Sequence, residues 1–183
     1  MTAAASLQGV KVAILVADLF EQAELAEPRK ALEAAGAQTV VVSPKAGEVQ
    51  GLNHVQPGDT FKVDLSLADA NAADFDALLL PGGVVNADAL RTDPKAQEFA
   101  RQIDRNGKPI AVICHGGWLL VSAGLASGHT LTSWPSLQDD IKNAGGTWVD
   151  REVVEDGNWI SSRKPDDIPA FNRVLVERLA RVH

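Results

Sequence analysis

The chain has 183 residues, a length that fits one domain and allows a sizeable buried core. Its formal net charge of −7 argues against a nucleic-acid partner and against anionic membrane surfaces, because both require a basic patch. The lone cysteine excludes an internal disulfide and suits a reducing cytoplasm.

Residues 1–9 (MTAAASLQG) have no positive region followed by an apolar stretch, so they read as a frayed lead-in rather than a signal peptide. No apolar run approaches the ~20 residues of a membrane helix. From residue 10 to 183 the chain reads as one domain in which strand-like and helix-like segments alternate. Residues 10–16 (VKVAILV) are β-branched and apolar, as in a strand buried on both faces. A helix is predicted over 22–35, closed by Gly36, and a strand over 38–43. Glycines 47, 51 and 58 punctuate short extended pieces over 45–65, which predicts a small hairpin. Residues 75–80 (FDALLL) form a further strand that ends in Pro81-Gly82-Gly83. A helix over 94–106 begins on Pro94, and a strand over 108–113 follows. Helices are predicted over 115–123 and 136–144. Late strands over 148–154 and 159–162 flank the Asp156-Gly157 turn, and a helix over 166–181 closes the chain.

This order predicts a three-layer αβα sandwich around a mostly parallel sheet. Sites in such sheets lie at the carboxyl ends of strands, which directs attention to three junctions. In AVICHGGWLL an apolar strand runs through Cys114 into glycine and then helix, the pattern of a nucleophile elbow. The positive end of the following helix is expected to lower the thiol pKa. The N–H of His115 could help hold an oxyanion, and its imidazole could act as a base. The plainer alternative makes Cys114 a small buried hydrophobe at a strand end. Gly82 and Gly83 let the backbone approach a neighbour and could aim N–H groups at the same oxyanion, although glycine pairs end many strands for steric reasons alone. At the first junction Glu21 and Glu24 share a helix face, and one of them could hydrogen-bond the Cys114 sulfur; carboxylates also favour helix starts without any catalytic role. His54, His129 and His183 read as surface residues, and the four tryptophans as core or interface. There is no multi-cysteine or HxxxH set, no GxGxxG and no Walker loop, so neither a metal nor another cofactor is expected.

At these residues the chain resembles the PfpI-type intracellular proteases of the ThiJ/PfpI superfamily, which share a fold with class I glutamine amidotransferases and include the parkinsonism-associated deglycase. The resemblance runs from about Val10 to the last helix and rests on FEQAEL, VDLSL, FDALLLPGG, GKPIAVICHG, NAGGTWVDREVVEDGNWISSR and PDDIPAFN. It implies a flavodoxin-like sandwich that self-associates as a homodimer or hexamer. It implies Cys114 as nucleophile, His115 as its neighbouring histidine, and Glu24, ahead of Glu21, as the acid that contacts the sulfur. Gly83 and His115 would supply oxyanion N–H groups, with Gly82 and Gly116 as adjoining backbone. In the founding members an acid from a neighbouring subunit completes a triad; the corresponding loop here, PGGVVNADAL, has Asp88 as its nearest acid. Trp134 stands where the parkinsonism-associated branch has a histidine, and Gly117 where a proline is common. The function expected is a stress-associated cysteine hydrolase acting on peptides. The alternatives are a cofactor-independent glyoxalase or deglycase acting on reactive carbonyls, and an oxidative-stress sensor or chaperone.

Overall fold

The computed structural model describes residues 6–183. Strand β1 (Lys11–Leu15) leads through the short β2 (Phe20–Glu21) into helix α1 (Gln22–Ala34), and β3 (Gln38–Ser43) follows. A hairpin of β4 (Glu48–Asn53) and β5 (Gln56–Lys62) precedes the short β6 (Leu65–Ser66). Next come β7 (Ala77–Leu80), α2 (Val84–Arg91), α3 (Pro94–Arg105), β8 (Ile110–Ile113) and α4 (Gly117–Ser122). The last third holds β9 (Thr130–Leu131), α5 (Gln138–Asn143), β10 (Thr147–Trp148), β11 (Val153–Asp156), β12 (Trp159–Ser162) and α6 (Ile168–Val182).

Seven strands form the central sheet in the order β11-β12-β8-β7-β1-β3-β6. Every neighbouring pair is parallel except β11 with β12. Successive side chains of a strand point to opposite faces, and the sequence fills both. Ala13 and Leu15 of β1, Leu78 and Leu80 of β7, and Ile110 and Val112 of β8 pack with Phe99, Ile103, Leu120 and Ile141 from α3, α4 and α5. Their strand neighbours Val12, Ile14, Ala77, Leu79, Ala111 and Ile113 pack with Leu25 and Leu32 of α1 and Phe171, Leu175 and Leu179 of α6. The result is the expected flavodoxin-like sandwich. From β1 the chain winds outward through β3 and β6, then returns to β1's other side and winds the opposite way through β7, β8 and β12. The order therefore reverses between β1 and β7, where such sheets leave a crevice at the strand ends.

Four expectations change. Of the lead-in expected over 1–9, residues 1–5 lie outside the described residues, and residues 6–9 are not frayed. Leu7 is fully buried, and its N–H donates to the Ala35 carbonyl at 2.7 Å. Residues 84–91, to which the pattern assigned no element, form α2; two β-branched valines and an N-cap glycine without a capping side chain conceal the helix start. The strand expected over 148–154 splits, because β10 pairs with β9 in a separate two-stranded sheet while β11 joins the main one. His129 is not a free surface residue: its ring stacks on Trp159 with centroids 3.8 Å apart.

Candidate functional site

β8 ends in a backbone that only a tight turn explains. Cys114 has φ +61°, a left-handed value that costs a non-glycine residue roughly 1 kcal/mol or more. A single 3₁₀ turn (Cys114–Gly116) then leads into α4. Gly116 makes the turn possible, since a Cβ there would lie 2.6 Å from the Leu80 carbonyl oxygen. Two other non-glycine residues among those described have positive φ, Leu19 at +64° and His54 at +58°. All three line one cleft of about 620 Å³ at the carboxyl end of the sheet. Strained backbone gathers where function requires a fixed geometry.

The floor of this cleft is polar. Glu24, in the first turn of α1, is fully buried, and its Oε2 accepts the N–H of Gly82 at 2.7 Å. Its Oε1 is buried without a donor among the described residues. Burial pushes the Glu24 carboxyl up to about 8, against the hydrogen bonds from Gly82 and Cys114. That rise favours the protonated acid beside the sulfur, since removal from water disfavours the carboxylate. Cys114 is 6% exposed. Burial, and after it the charge of an ionised Glu24, push the thiol up; the N–H groups of His115 and Gly83 pull the other way. The expected lowering by a helix terminus is thus overturned. The helix that follows has only six residues, too short a dipole to outweigh removal of the thiolate from water.

His115 faces the same sulfur. Its Nδ1 lies 3.2 Å from the Cys114 sulfur, so residues adjacent at this turn do present their side chains to each other. Burial lowers the imidazole's pKa and favours the neutral ring. Trp134 stacks over the ring at 5.7 Å and 23°, and Trp118 meets it edge-on at 5.3 Å. The Trp134 face favours an imidazolium by cation–π attraction once it forms.

The remaining candidates separate. Glu21 is not near the sulfur in hydrogen-bonding terms; its two oxygens accept the N–H of His54 at 3.2 and 3.3 Å and hold the β4–β5 hairpin tip over the cleft. Gly82 is not an oxyanion donor, because its N–H is committed to Glu24, and a Cβ there would meet Glu24 Oε2 at 2.5 Å. Gly116 is a packing residue of the turn. Gly83 has φ +86°, and its N–H faces the Cys114 sulfur. Asp88 is exposed on α2 and does not line the cleft. Gly117 starts α4 in ordinary helical geometry, so the absent proline leaves the turn intact.

Leu19, the hairpin tip at His54 and Val55, and the Lys164–Asp166 rim were missed from the sequence. No spacing signal marks them, since positive φ at leucine or histidine leaves no trace in composition. Four of the five large exposed hydrophobics among the described residues, Val55, Val84, Val85 and Trp134, also border this cleft.

Residues 10–178 match the DJ-1/PfpI family. A deglycase of Pyrococcus abyssi is 45% identical over 170 residues, covering 93% of this chain and 99% of the relative. YraA of Bacillus subtilis, named as a candidate cysteine protease, is 43% identical over 164 residues, covering 89% of this chain and 94% of its own length. The crystal structure of Drosophila melanogaster DJ-1beta superposes with a TM-score of 0.85 at 30% identity, over 93% of this chain and 90% of that one. The strained cysteine turn, the buried acid beside it and these three likenesses agree, and the chain belongs to the DJ-1/PfpI family.

Proposed function

We propose that Cys114 is a nucleophile toward reactive carbonyls and that the protein is a cofactor-independent glyoxalase or deglycase. One observation carries this reading: a buried carboxylic acid, Glu24, stands beside the thiol, while among the described residues no carboxylate meets His115. Peptide hydrolysis by a cysteine–histidine–acid set needs the third group to orient the imidazole. Carbonyl addition needs a base for the thiol and an acid for the nascent oxygen, and both are at hand.

In this scheme His115 Nδ1 takes the thiol proton as the sulfur attacks an aldehyde carbon. The S–C bond forms, the C=O π bond breaks, and Glu24 protonates the oxygen to give a hemithioacetal. The N–H groups of Gly83 and His115 favour the negative charge in transit. With a 2-oxoaldehyde such as methylglyoxal, the ionised Glu24 then moves the carbon-bound proton of C1 to C2, and the hydroxyl proton on C1 passes to the C2 oxygen. The aldehyde carbon rises to a thioester as the ketone falls to an alcohol, so no outside oxidant is required. Water cleaves the thioester, releasing the 2-hydroxy acid and restoring the thiol.

The test is lactate production from methylglyoxal by the purified protein without added cofactor, with release of amine from a methylglyoxal-modified lysine followed in parallel. No lactate and no amine would sink the reading.

The alternative is the cysteine hydrolase expected first, and the likeness to YraA supports it. The open apolar mouth at Val55, Val84, Val85 and Trp134 suits an extended apolar substrate. Cleavage of fluorogenic peptides, lost in Cys114→Ala, would favour it. The third possibility is an oxidation sensor, for which peroxide must add oxygen to Cys114 in the intact mass. Self-association is proposed on the same apolar mouth, and it is the arrangement that could bring Asp88 to a neighbour's His115. Light scattering that gives a monomer would remove it.

A further inference from the structure

A buried side-chain amide lies outside the scheme above. Asn86, in the first turn of α2, is fully buried. Its Oδ1 accepts the N–H of Ala17 at 2.7 Å, just beyond β1. Its Nδ2 donates to the carbonyls of Pro81 at 3.1 Å and Gly82 at 2.9 Å, just beyond β7. The β1–β7 ladder pairs Val12 with Ala77 and ends at Ile14 with Leu79. Beyond that register the two strand ends share no backbone bonds in the ladder, and the Asn86 side chain spans them at the point where the strand order reverses.

The peptide unit explains what this clamp achieves. A trans peptide is planar, and its C=O and N–H point in opposite directions. Holding the Pro81 carbonyl on one side therefore aims the Gly82 N–H to the other, where it meets Glu24 Oε2 at 2.7 Å. Holding the Gly82 carbonyl likewise aims the Gly83 N–H away from Asn86, toward the Cys114 sulfur. Two consecutive peptides are turned by one amide group whose two N–H donors and one oxygen are all engaged. Aspartate at this position has the acceptor for Ala17 but no donor for the carbonyls, and serine has one donor and a shorter reach.

We propose that Asn86 is a positioning residue that sets the two peptide planes of the Pro81-Gly82-Gly83 loop, so that one N–H holds Glu24 and the next faces the Cys114 sulfur. This rests on the reading of Cys114 as the reacting group but not on any particular substrate. Asn86 touches neither substrate nor sulfur; it acts through Gly82 and Gly83.

The experiment uses Asn86→Leu, which matches the shape of asparagine and adds no charge. Because Cys114 is the sole cysteine, iodoacetamide alkylation followed by intact mass reads one site at each pH. Ile103→Ala, a core change on α3 remote from the cleft, serves as a destabilised control. Expected is an alkylation rate in Asn86→Leu about tenfold lower at neutral pH, with the inflection moved upward, while Ile103→Ala loses thermal stability and keeps the wild-type profile. A profile in folded Asn86→Leu that coincides with wild type overturns the proposal, whatever its melting temperature. Should that variant not fold, hydrogen exchange of the Asn86 side-chain amide in the wild-type protein decides. Slow exchange supports the clamp, and exchange at the solvent rate overturns it. A thiol in the wild type that no pH makes reactive would instead sink the proposed function, and the exchange measurement would still test Asn86.

Discussion

Two histidines in this molecule sit in opposite kinds of environment. His115 lies 3.2 Å from a sulfur, between two tryptophans, with no carboxylate among the described residues in contact. His129 has the carboxylate: its Nδ1 meets Asp156 Oδ2 at 3.1 Å, its ring lies flat on Trp159, and Asp156 also accepts the Thr130 N–H at 2.8 Å. By its partners alone, His129 is the closer match to half of a catalytic triad. Yet none of the described nucleophiles bonds to it, its backbone is unstrained, and its bonds tie β9 to the β11–β12 turn. His115 has the Cys114 thiol on a left-handed residue, a cleft, and a buried acid of raised pKa. A histidine–acid pair is thus a poor marker of function on its own, whereas strain and burial that converge on a cavity are a better one.

The comparison can be broken at its strongest point first. Cys114→Ala should reduce turnover of methylglyoxal at least ~10³-fold, to the background of the uncatalysed reaction, with an unchanged far-ultraviolet dichroism spectrum. His115→Ala should cost about 10²-fold, read as a loss in kcat, because only the thiol's proton acceptor is removed. If His129→Ala were to lose as much, the two environments would not differ in the way described.

Stability sharpens the same contrast. Gly83→Ala places a Cβ 2.6 Å from the Glu21 nitrogen at φ +86°, both backbone constraints, and should destabilise the fold by about 2 kcal/mol in urea. Glu24 adds a pH dependence of defined sign. Its folded pKa, about 8, lies above the ordinary 4.5, so between those values the folded chain binds more protons than the unfolded one. Glu24's contribution to stability therefore falls as pH rises from about 4.5 to about 8, by on the order of a few kcal/mol. Glu24→Gln should flatten that slope, and a slope equal to wild type would show that Glu24 is ionised in the fold. The smallest effect is expected at the other corner. His129→Ala should lose about 1 kcal/mol with the Asp156 bond and the Trp159 stack, and leave turnover within twofold.

Much of the frame was legible in the chain. Apolar runs such as VKVAILV and FDALLL can be buried only on both faces, so they read as parallel strands, and β1, β7 and β8 formed where the pattern put them. Helix α2 was not legible, since its start carries two valines and no capping side chain. The split of residues 148–154 between two sheets was not legible either, because periodicity reports that a segment is extended and says nothing of which neighbour it pairs with.

The site divides along the same line. Cys114 and the glycines around it announce a tight turn, because local sterics decide which residues tolerate left-handed backbone, and the acids of FEQAEL mark the start of α1. Which acid reaches the sulfur depended on packing: Glu24 turns inward to Gly82, and Glu21 turns to the hairpin tip. The thiol's pKa was decided by burial, a property of residues far apart in the chain, and it reversed the expectation drawn from the helix alone. Asn86 joins Ala17 to Pro81 and Gly82 across 69 positions of sequence on one side and four or five on the other. The sequence by itself determined the layers and the turn that carries Cys114, both consequences of short-range sterics and hydrophobic periodicity. Only the tertiary structure decided protonation, orientation and the clamp between β1 and β7, because desolvation and long-range hydrogen bonds exist only once those strand ends are brought together.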